Sequence, residues 1–247
     1  MIAIGTAGWN VPKAHAVAFP VQGSHLERYA QRLDVAEINT SFYRSHRLAT
    51  YERWAAAVPG QFRFAVKVPR TITHERRLVD AEAPLRQFLE EVAGLGRKLG
   101  PLLLQLPPSL RFDERTSRAF LNAFRQAHGG DIVCEPRHAS WLDPAVDALL
   151  VDLRIARVAA DPAPVPGAQE PGGWRELHYY RLHGSPKIYY SAYPASVLDA
   201  TADRLAKDAS DRRPSWCIFD NTAAFAAAGD ALATLERVRH LVSRDGG

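Results

Sequence analysis

The chain has 247 residues, 47% hydrophobic and 23% charged, with 31 Lys and Arg against 27 Asp and Glu for a formal charge of +4. That composition suits one globular domain with a sizeable core and excludes a disordered or low-complexity chain. The mild basic excess reads first as an ordinary soluble surface; the sharper reading is attraction of anions such as phosphates, sugar acids or, more weakly, nucleic acid, for which no lysine-rich run speaks. No apolar run is long enough to span a membrane, nothing resembles a leader because Ile2-Ala3-Ile4-Gly5 already reads as a strand, and a cytoplasmic location is expected by default.

In chain order, short apolar runs alternate with amphipathic stretches, the pattern of a parallel α/β fold. Strands are predicted at Ile2–Gly5, Asp34–Asn39, Phe62–Val68, Pro101–Leu106, Asp131–Glu135, Ile155–Ala160, His178–His183 and Ser215–Asn221. Ser24-His25-Leu26-Glu27 is a capping box that opens a helix to about Leu33. Asp113 caps a helix ending before Gly129-Gly130, where the first glycine suits a left-handed terminus, and Asp143-Pro144 is an N-cap followed by proline in the first turn. Further helices are expected near Leu48–Val58, Ala81–Leu95, Pro194–Asp208 and Thr222–Leu241. The prolines and glycines of Pro162–Gly167 and Pro171-Gly172-Gly173 mark a loop where a sixth helix would stand. The prediction is a single α/β domain over residues 1–247, a (β/α)8 TIM-like barrel irregular around its sixth βα unit. The two cysteines, Cys134 and Cys217, sit in strand-like runs and read as buried and reduced.

In such a barrel the C-terminal strand ends open on one face, where active sites lie. Side chains two apart on a strand share a face, so Glu37 with Asn39, Ala65 with Lys67, Leu103 with Gln105, Glu135 with Arg137, and Arg181 with His183 all point into one mouth. Any one of them is commonly a structural ion pair or a hydrogen-bonded core residue; several buried charges in one mouth need a joint explanation. Glu37 and Glu135 are read as an acid/base pair, with at least one pKa raised by proximity and burial. His183 is read as the acid. Lys67 is read as an anion clamp or, desolvated, as a Schiff-base nucleophile. Arg137 and Arg181 present forks for carboxylate or phosphate, and His74 and His138 add to an anion-binding mouth, while Trp9, Tyr43 and Trp141 offer faces for a sugar or base.

Several stretches together resemble a known family. They are Gly5-Thr6-Ala7-Gly8-Trp9, Glu37-Ile38-Asn39-Thr40-Ser41-Phe42-Tyr43-Arg44, Phe64-Ala65-Val66-Lys67-Val68-Pro69 with Thr73-His74, and Leu99-Gly100-Pro101 running to Gln105-Leu106-Pro107-Pro108. Glu135-Pro136-Arg137-His138 with Trp141 and Tyr180-Arg181-Leu182-His183-Gly184 complete the set. This set resembles the YecE-like family, domain of unknown function 72. The resemblance implies a TIM-barrel fold and no particular activity. The family often has serine at the place of Ala7, a tryptophan- and tyrosine-bearing loop at Asn10–Pro20, and two asparagines where Asp220 precedes Asn221 here. Departure at Asp220 leaves two outcomes open: a further negative charge in the site, or a side chain turned away from it.

Three functions follow as expectations. The first is an enzyme, a lyase, isomerase or hydrolase, acting on an anionic or sugar-like small molecule, with Glu37, Glu135, Lys67 and His183 catalytic. Trp9, Asn39, Tyr43, His74, Gln105, Arg137, His138, Trp141, Arg181 and Asn221 would bind the substrate. The second is a barrel that binds nucleic acid or processes its phosphodiesters with metal at Glu37, Glu135, His183 and Asp161. The third is a non-catalytic ligand-binding protein. No metal-type Cys/His spacing is present, and the sequence leaves the cofactor unknown.

Overall fold

A computed structural model describes residues 1–245, and their side chains through residue 243. Strands β1 (Ile2–Ala7), β2 (Val35–Ile38), β3 (Arg63–Lys67), β4 (Leu99–Gln105), β5 (Ile132–Glu135), β6 (Ile155–Arg157), β7 (Ala159–Asp161), β8 (Gly172–Gly173), β9 (His178–Leu182) and β10 (Ser215–Phe219) form one sheet. Its order is β7-β9-β10-β1-β2-β3-β4-β5-β6-β8. β6 and β7 lie one residue apart in the chain, on either side of Val158, and stand near opposite ends of that order. β5 pairs with β6, and β7 pairs with β9. The predicted sixth strand is therefore one interrupted strand whose two halves close the barrel.

The predicted caps explain where helices start. Ser24 and Glu27 form the reciprocal capping box of α1 (His25–Tyr29). The Asp113 carboxylate accepts from the Thr116 amide at the start of α5 (Glu114–Ala127), and Asp143 with Pro144 opens α6 (Pro144–Asp152). α5 ends without a left-handed Gly129, because extended His128 carries the chain out. Short α2 (Thr40–Tyr43), α3 (Leu48–Ala56), α4 (Glu82–Val92), α7 (Ala195–Ser210) and α8 (Ala227–Asp245) complete the layer around the sheet. α8 begins five residues later than expected, after a turn in which Phe225 has φ 63°. Among the described residues, none between β7 and β9 forms a helix. Gly172–Gly173 instead pairs antiparallel with β6.

Alternation sorts the strands into two apolar sets. Phe64, Val66, Leu102, Leu104, Cys134, Leu182, Cys217 and Phe219 pack outward under the helices. Ala3, Val35, Ala65, Leu103, Val133, Val158, Tyr179, Trp216 and Ile218 fill the barrel interior. The Trp216 ring stacks on Tyr179 at 6.0 Å between centroids and lies where a Cβ on Gly100 would be, so that position must stay bare. No helix among the described residues is long and apolar enough to cross a membrane.

Where β1 and β2 part, the Tyr29 hydroxyl from α1 bridges them. It accepts from the Thr6 amide at 2.8 Å and donates to the Val35 carbonyl at 2.8 Å, fully buried. Tyr29→Phe keeps the ring and strands both backbone groups. The expected loss is about 1–3 kcal/mol in chemical denaturation, with an unchanged denaturant slope.

Candidate active site in the barrel mouth

The interior changes character within one step of the strand pleat. Val35 gives way to Glu37, Ala65 to Lys67, Leu103 to Gln105, Val133 to Glu135, Tyr179 to Arg181 and Ile218 to Asp220, each two residues farther along its strand or just past its end. Apolar packing thus ends abruptly in a layer of buried charge, and the next step up adds Asn39, Arg137 and His183.

Arg181 is at the centre of that layer and has no exposed surface. Its Nε and Nη2 donate to Glu37 Oε2 and Oε1 at 3.1 and 2.7 Å. Nη1 donates to Glu135 Oε2 at 2.5 Å, and Nη2 also donates to Asp220 Oδ2 at 2.9 Å. The Tyr179 hydroxyl donates to Glu37 Oε2 at 2.8 Å. Arg137 donates from Nε to Glu135 Oε1 at 2.9 Å, and His183 places Nδ1 3.1 Å from Asp220 Oδ2 and Nε2 3.4 Å from Glu135 Oε1. One guanidinium therefore bonds carboxylates from β2, β5 and the end of β10, which are distant in sequence.

This arrangement reverses one expectation about the acid/base pair. Burial pushes the Glu135 carboxyl up, but Arg181, His183 and Arg137 outweigh it and hold Glu135 well below the usual range. Asp220 is lowered likewise: burial opposes ionisation, and Arg181 and His183 overcome it. Burial alone would lower His183; the Glu135 charge and the Asp220 hydrogen bond raise it. Burial pushes the Lys67 ammonium down to about 8, with repulsion from Arg181 added and attraction from Asp220, Glu135 and Glu37 opposing.

A cleft of about 720 Å³ opens above this layer. Its lining includes Trp9, Asn39, Tyr43, Trp54, Lys67, Tyr189, Tyr190 and Asp220. Among the expected catalytic residues, Lys67 lines the cleft. Glu37 and Glu135 lie behind it, 0% and 1% exposed, with their oxygens committed to Arg181, Arg137 and Tyr179. Lys67 Nζ sits 4.2 Å over the Phe42 ring and makes no hydrogen bond or ion pair among the described residues. Of the two outcomes open for Asp220, the structure shows the first: it faces the cleft. Its Oδ2 is taken by Arg181 and His183, and its Oδ1 accepts from Asn39 at 3.3 Å.

The expected binding residues divide in the same way. Trp9, Asn39 and Tyr43 line the cleft, Trp9 edge-on to Trp54 at 5.2 Å and Tyr43 71% exposed. Arg137 keeps Nη1 free and reaches Tyr189 through Nη2 at 3.4 Å. Arg181 is corrected from ligand fork to internal counter-ion, since all its donors point at carboxylates. Trp141 is corrected as well: it is fully buried, donates to the Leu110 carbonyl at 3.0 Å and packs on Phe112, outside the mouth. Asn221, also fully buried, donates to Ser191 O at 2.9 Å and Asp230 Oδ2 at 2.7 Å, and so anchors the segment after β9 to α8. His138 caps the turn Ala139–Leu142 through Nδ1. His74 is half-buried; burial and the nearby Lys67 lower it to about 4, so it serves as a neutral polar group, not a cation. Gln105 is buried beside Glu135 in register.

Asp161 does not join the mouth. Its carboxylate accepts from Tyr193 at 2.8 Å and faces a groove against α7. Among the described residues, no group of three or more His, Cys, Asp or Glu side chains is arranged to hold a metal ion; Arg181 takes the oxygens that the Glu37 and Glu135 pair would offer. Trp54, Tyr189, Tyr190 and Arg44 were missed as cleft residues. Trp54 reads in sequence as one face of an amphipathic helix, and the two tyrosines lie in a segment without periodicity.

Removing the counter-ion leaves three buried carboxylates exposed to one another. Arg181→Met is expected to cost about 3–5 kcal/mol at neutral pH, measured by denaturant unfolding. The loss should shrink in acid, where protonation removes the repulsion; an equal loss at pH 7 and pH 4 would count against this role.

Comparison with known proteins agrees with the fold. The family model described as "Protein of unknown function DUF72" matches residues 3–245. The UPF0759 protein YecE of Escherichia coli (strain K12) is 32% identical over 107 residues, which cover 43% of this chain and 38% of that protein. The UPF0759 protein YunF of Bacillus subtilis (strain 168) is 28% identical over 155 residues, 58% of this chain and 53% of its own length. The matched segments thus span about half or less of these relatives. Crystal structures of DUF72 family proteins from Enterococcus faecalis and Thermotoga maritima superpose with TM-scores of 0.80 and 0.77 at 22% and 21% identity. Each match covers 97% of this chain, with 96% and 99% of the other chain respectively, and shows a shared barrel fold. The family-model match over residues 3–245 shows that this chain belongs to the DUF72 family, described as of unknown function.

Proposed function

We propose that the mouth is the active site of an enzyme, a lyase, isomerase or hydrolase, that acts on an anionic or sugar-like small molecule by proton transfer. One observation carries the reading: a buried layer with an excess of cationic groups forms the floor of an aromatic-walled cleft. Glu37, Glu135 and Asp220 supply three negative charges, Arg181, Arg137 and protonated Lys67 match them, and the shift of His183 toward its charged form adds positive charge. The remaining positive charge, in a site largely closed to water, favours an anion. Trp9, Tyr43, Trp54, Tyr189 and Tyr190 offer ring faces to the rest of the ligand.

In this reading the charged layer has two parts. Arg181, Glu37, Glu135 and Tyr179 form a fixed frame. Lys67, protonated at neutral pH yet easily deprotonated, is the acid, and ionised Asp220 is the acceptor, with His183 behind it to take up or return the proton. The free Nη1 of Arg137 binds the anionic group. The metal-dependent phosphodiester reading draws no support from the geometry, because Asp161 stands outside the mouth and the glutamates are held by Arg181.

A panel of inorganic phosphate, sugar phosphates, sugar acids and neutral sugars tests the reading by calorimetry or thermal shift. Phosphorylated or acidic ligands should bind and neutral sugars should bind more weakly. Arg137→Met should weaken the anions about tenfold or more. Because Lys67 loses its charge as pH rises through about 8, anion affinity should be constant below that pH and fall above it. Affinity that rises above pH 8, or is indifferent to Arg137, contradicts the reading.

A further inference from the structure

We infer that Lys67 forms a covalent imine with a carbonyl-bearing anion, a 2-oxo carboxylate or carbonyl phosphate, bound in the mouth. The inference rests on the reading of the mouth as a small-molecule site and names the bond that site makes; for a carbonyl-bearing anion the neutral fraction of Lys67 is the nucleophile, and the acid role of its ammonium gives way to it.

The geometry distinguishes Lys67 from other cations in the molecule. Arg181 and Arg137 lie against carboxylates. Lys67, 7% exposed on the barrel-facing side of β3, lies against no carboxylate within 4.0 Å among the described residues, and its flank is the Phe42 ring. Such an amine is desolvated without being tied down by an ion pair. It also lines the cleft, so a ligand can reach it. Arg137, which reaches the cleft residue Tyr189 through Nη2, is placed to hold a carboxylate or phosphate, and Asp220, which lines the same cleft as Lys67, is placed to exchange protons. Burial contributes to reactivity: with its pKa at about 8, roughly a tenth of Lys67 is free amine at pH 7, against less than about a thousandth for an ordinary lysine.

The step balances without an added oxidant or reductant. The neutral Nζ attacks the carbonyl carbon, forming a C–N bond, and the carbonyl oxygen takes up a proton. Loss of that hydroxyl with the second amine proton releases water and leaves C=N. Asp220, backed by His183, is the group that carries protons between nitrogen and oxygen. A proton returned to that nitrogen by the same Asp220–His183 pair makes the imine an iminium cation, which withdraws electrons from the adjacent carbon and suits bond cleavage or isomerisation next to the former carbonyl.

The chain contains few lysines, and this makes the test clean: Lys13, Lys98, Lys187 and Lys207 are the others. Lys98 is an internal control, since its half-buried ammonium is tied to the Ala55 and Val58 carbonyls. The protein is incubated at pH 7 with glyoxylate or pyruvate and sodium cyanoborohydride, then mapped by peptide mass spectrometry. The expected result is a reduced adduct on Lys67, at least tenfold above any other lysine, and none at that position in Lys67→Arg or Lys67→Met, whose thermal unfolding shows that they remain folded. Adducts spread evenly over the lysines overturn the inference. Thermal shift by the same acids separates it from the reading beneath it. Stabilisation by glyoxylate without labelling of Lys67 overturns the imine and leaves the anion site standing. No stabilisation by glyoxylate, pyruvate or phosphate overturns the anion site, and the imine with it.

Discussion

One guanidinium holds the mouth of this barrel together. Arg181 lies in the interior with no exposed surface and bonds to Glu37, Glu135 and Asp220 from β2, β5 and the end of β10. Each of these groups would be costly to bury alone. Together, with Tyr179 and Arg137 satisfying further oxygens, they form a layer whose charges offset one another and whose geometry is over-determined. Other features of the site depend on it: the depressed Glu135 and Asp220, the raised His183, and the position of Lys67 outside the ion-pair network.

The frame explains a division of labour that the residue types conceal. Glutamates in a barrel mouth look like acid/base groups, yet Glu37 and Glu135 face inward to a counter-ion, not outward to solvent. Their role in the account is to set the field felt by the groups at the cleft. Lys67 and Asp220 occupy that boundary and combine access to a ligand with an environment that shifts their protonation. The aromatic wall from Trp9, Trp54 and Tyr189 belongs to three separate segments and takes shape only when β1, α3 and the stretch after β9 meet at one end of the barrel.

Much of this was legible in sequence because two regularities are local. The period-two pleat assigned Glu37, Lys67, Gln105, Glu135 and Arg181 to one face correctly, and the apolar sets on either side fell where alternation put them. Caps at Ser24, Asp113 and Asp143 are contacts within three residues, so they too could be read. The missing sixth helix followed from its prolines and glycines. What could not be read was who pairs with whom across the barrel. Arg181 and Glu37 are separated by 144 positions, and their pairing depends on closure through the broken strand at Val158. The same distance hid the commitment of Arg181 to its carboxylates and brought Asp220 into the site. Trp141 and Asn221, both close to mouth residues in sequence, point elsewhere because the chain turns before them.

The most direct test is a carbon-13 NMR titration of the Glu135 carboxyl in the folded protein. Glu135 is expected to stay ionised to well below the ordinary glutamate range, because Arg181, His183 and Arg137 surround it. A Glu135 that titrates at or above its ordinary value would mean that burial prevails over the guanidinium, and would contradict the frame on which the site is built.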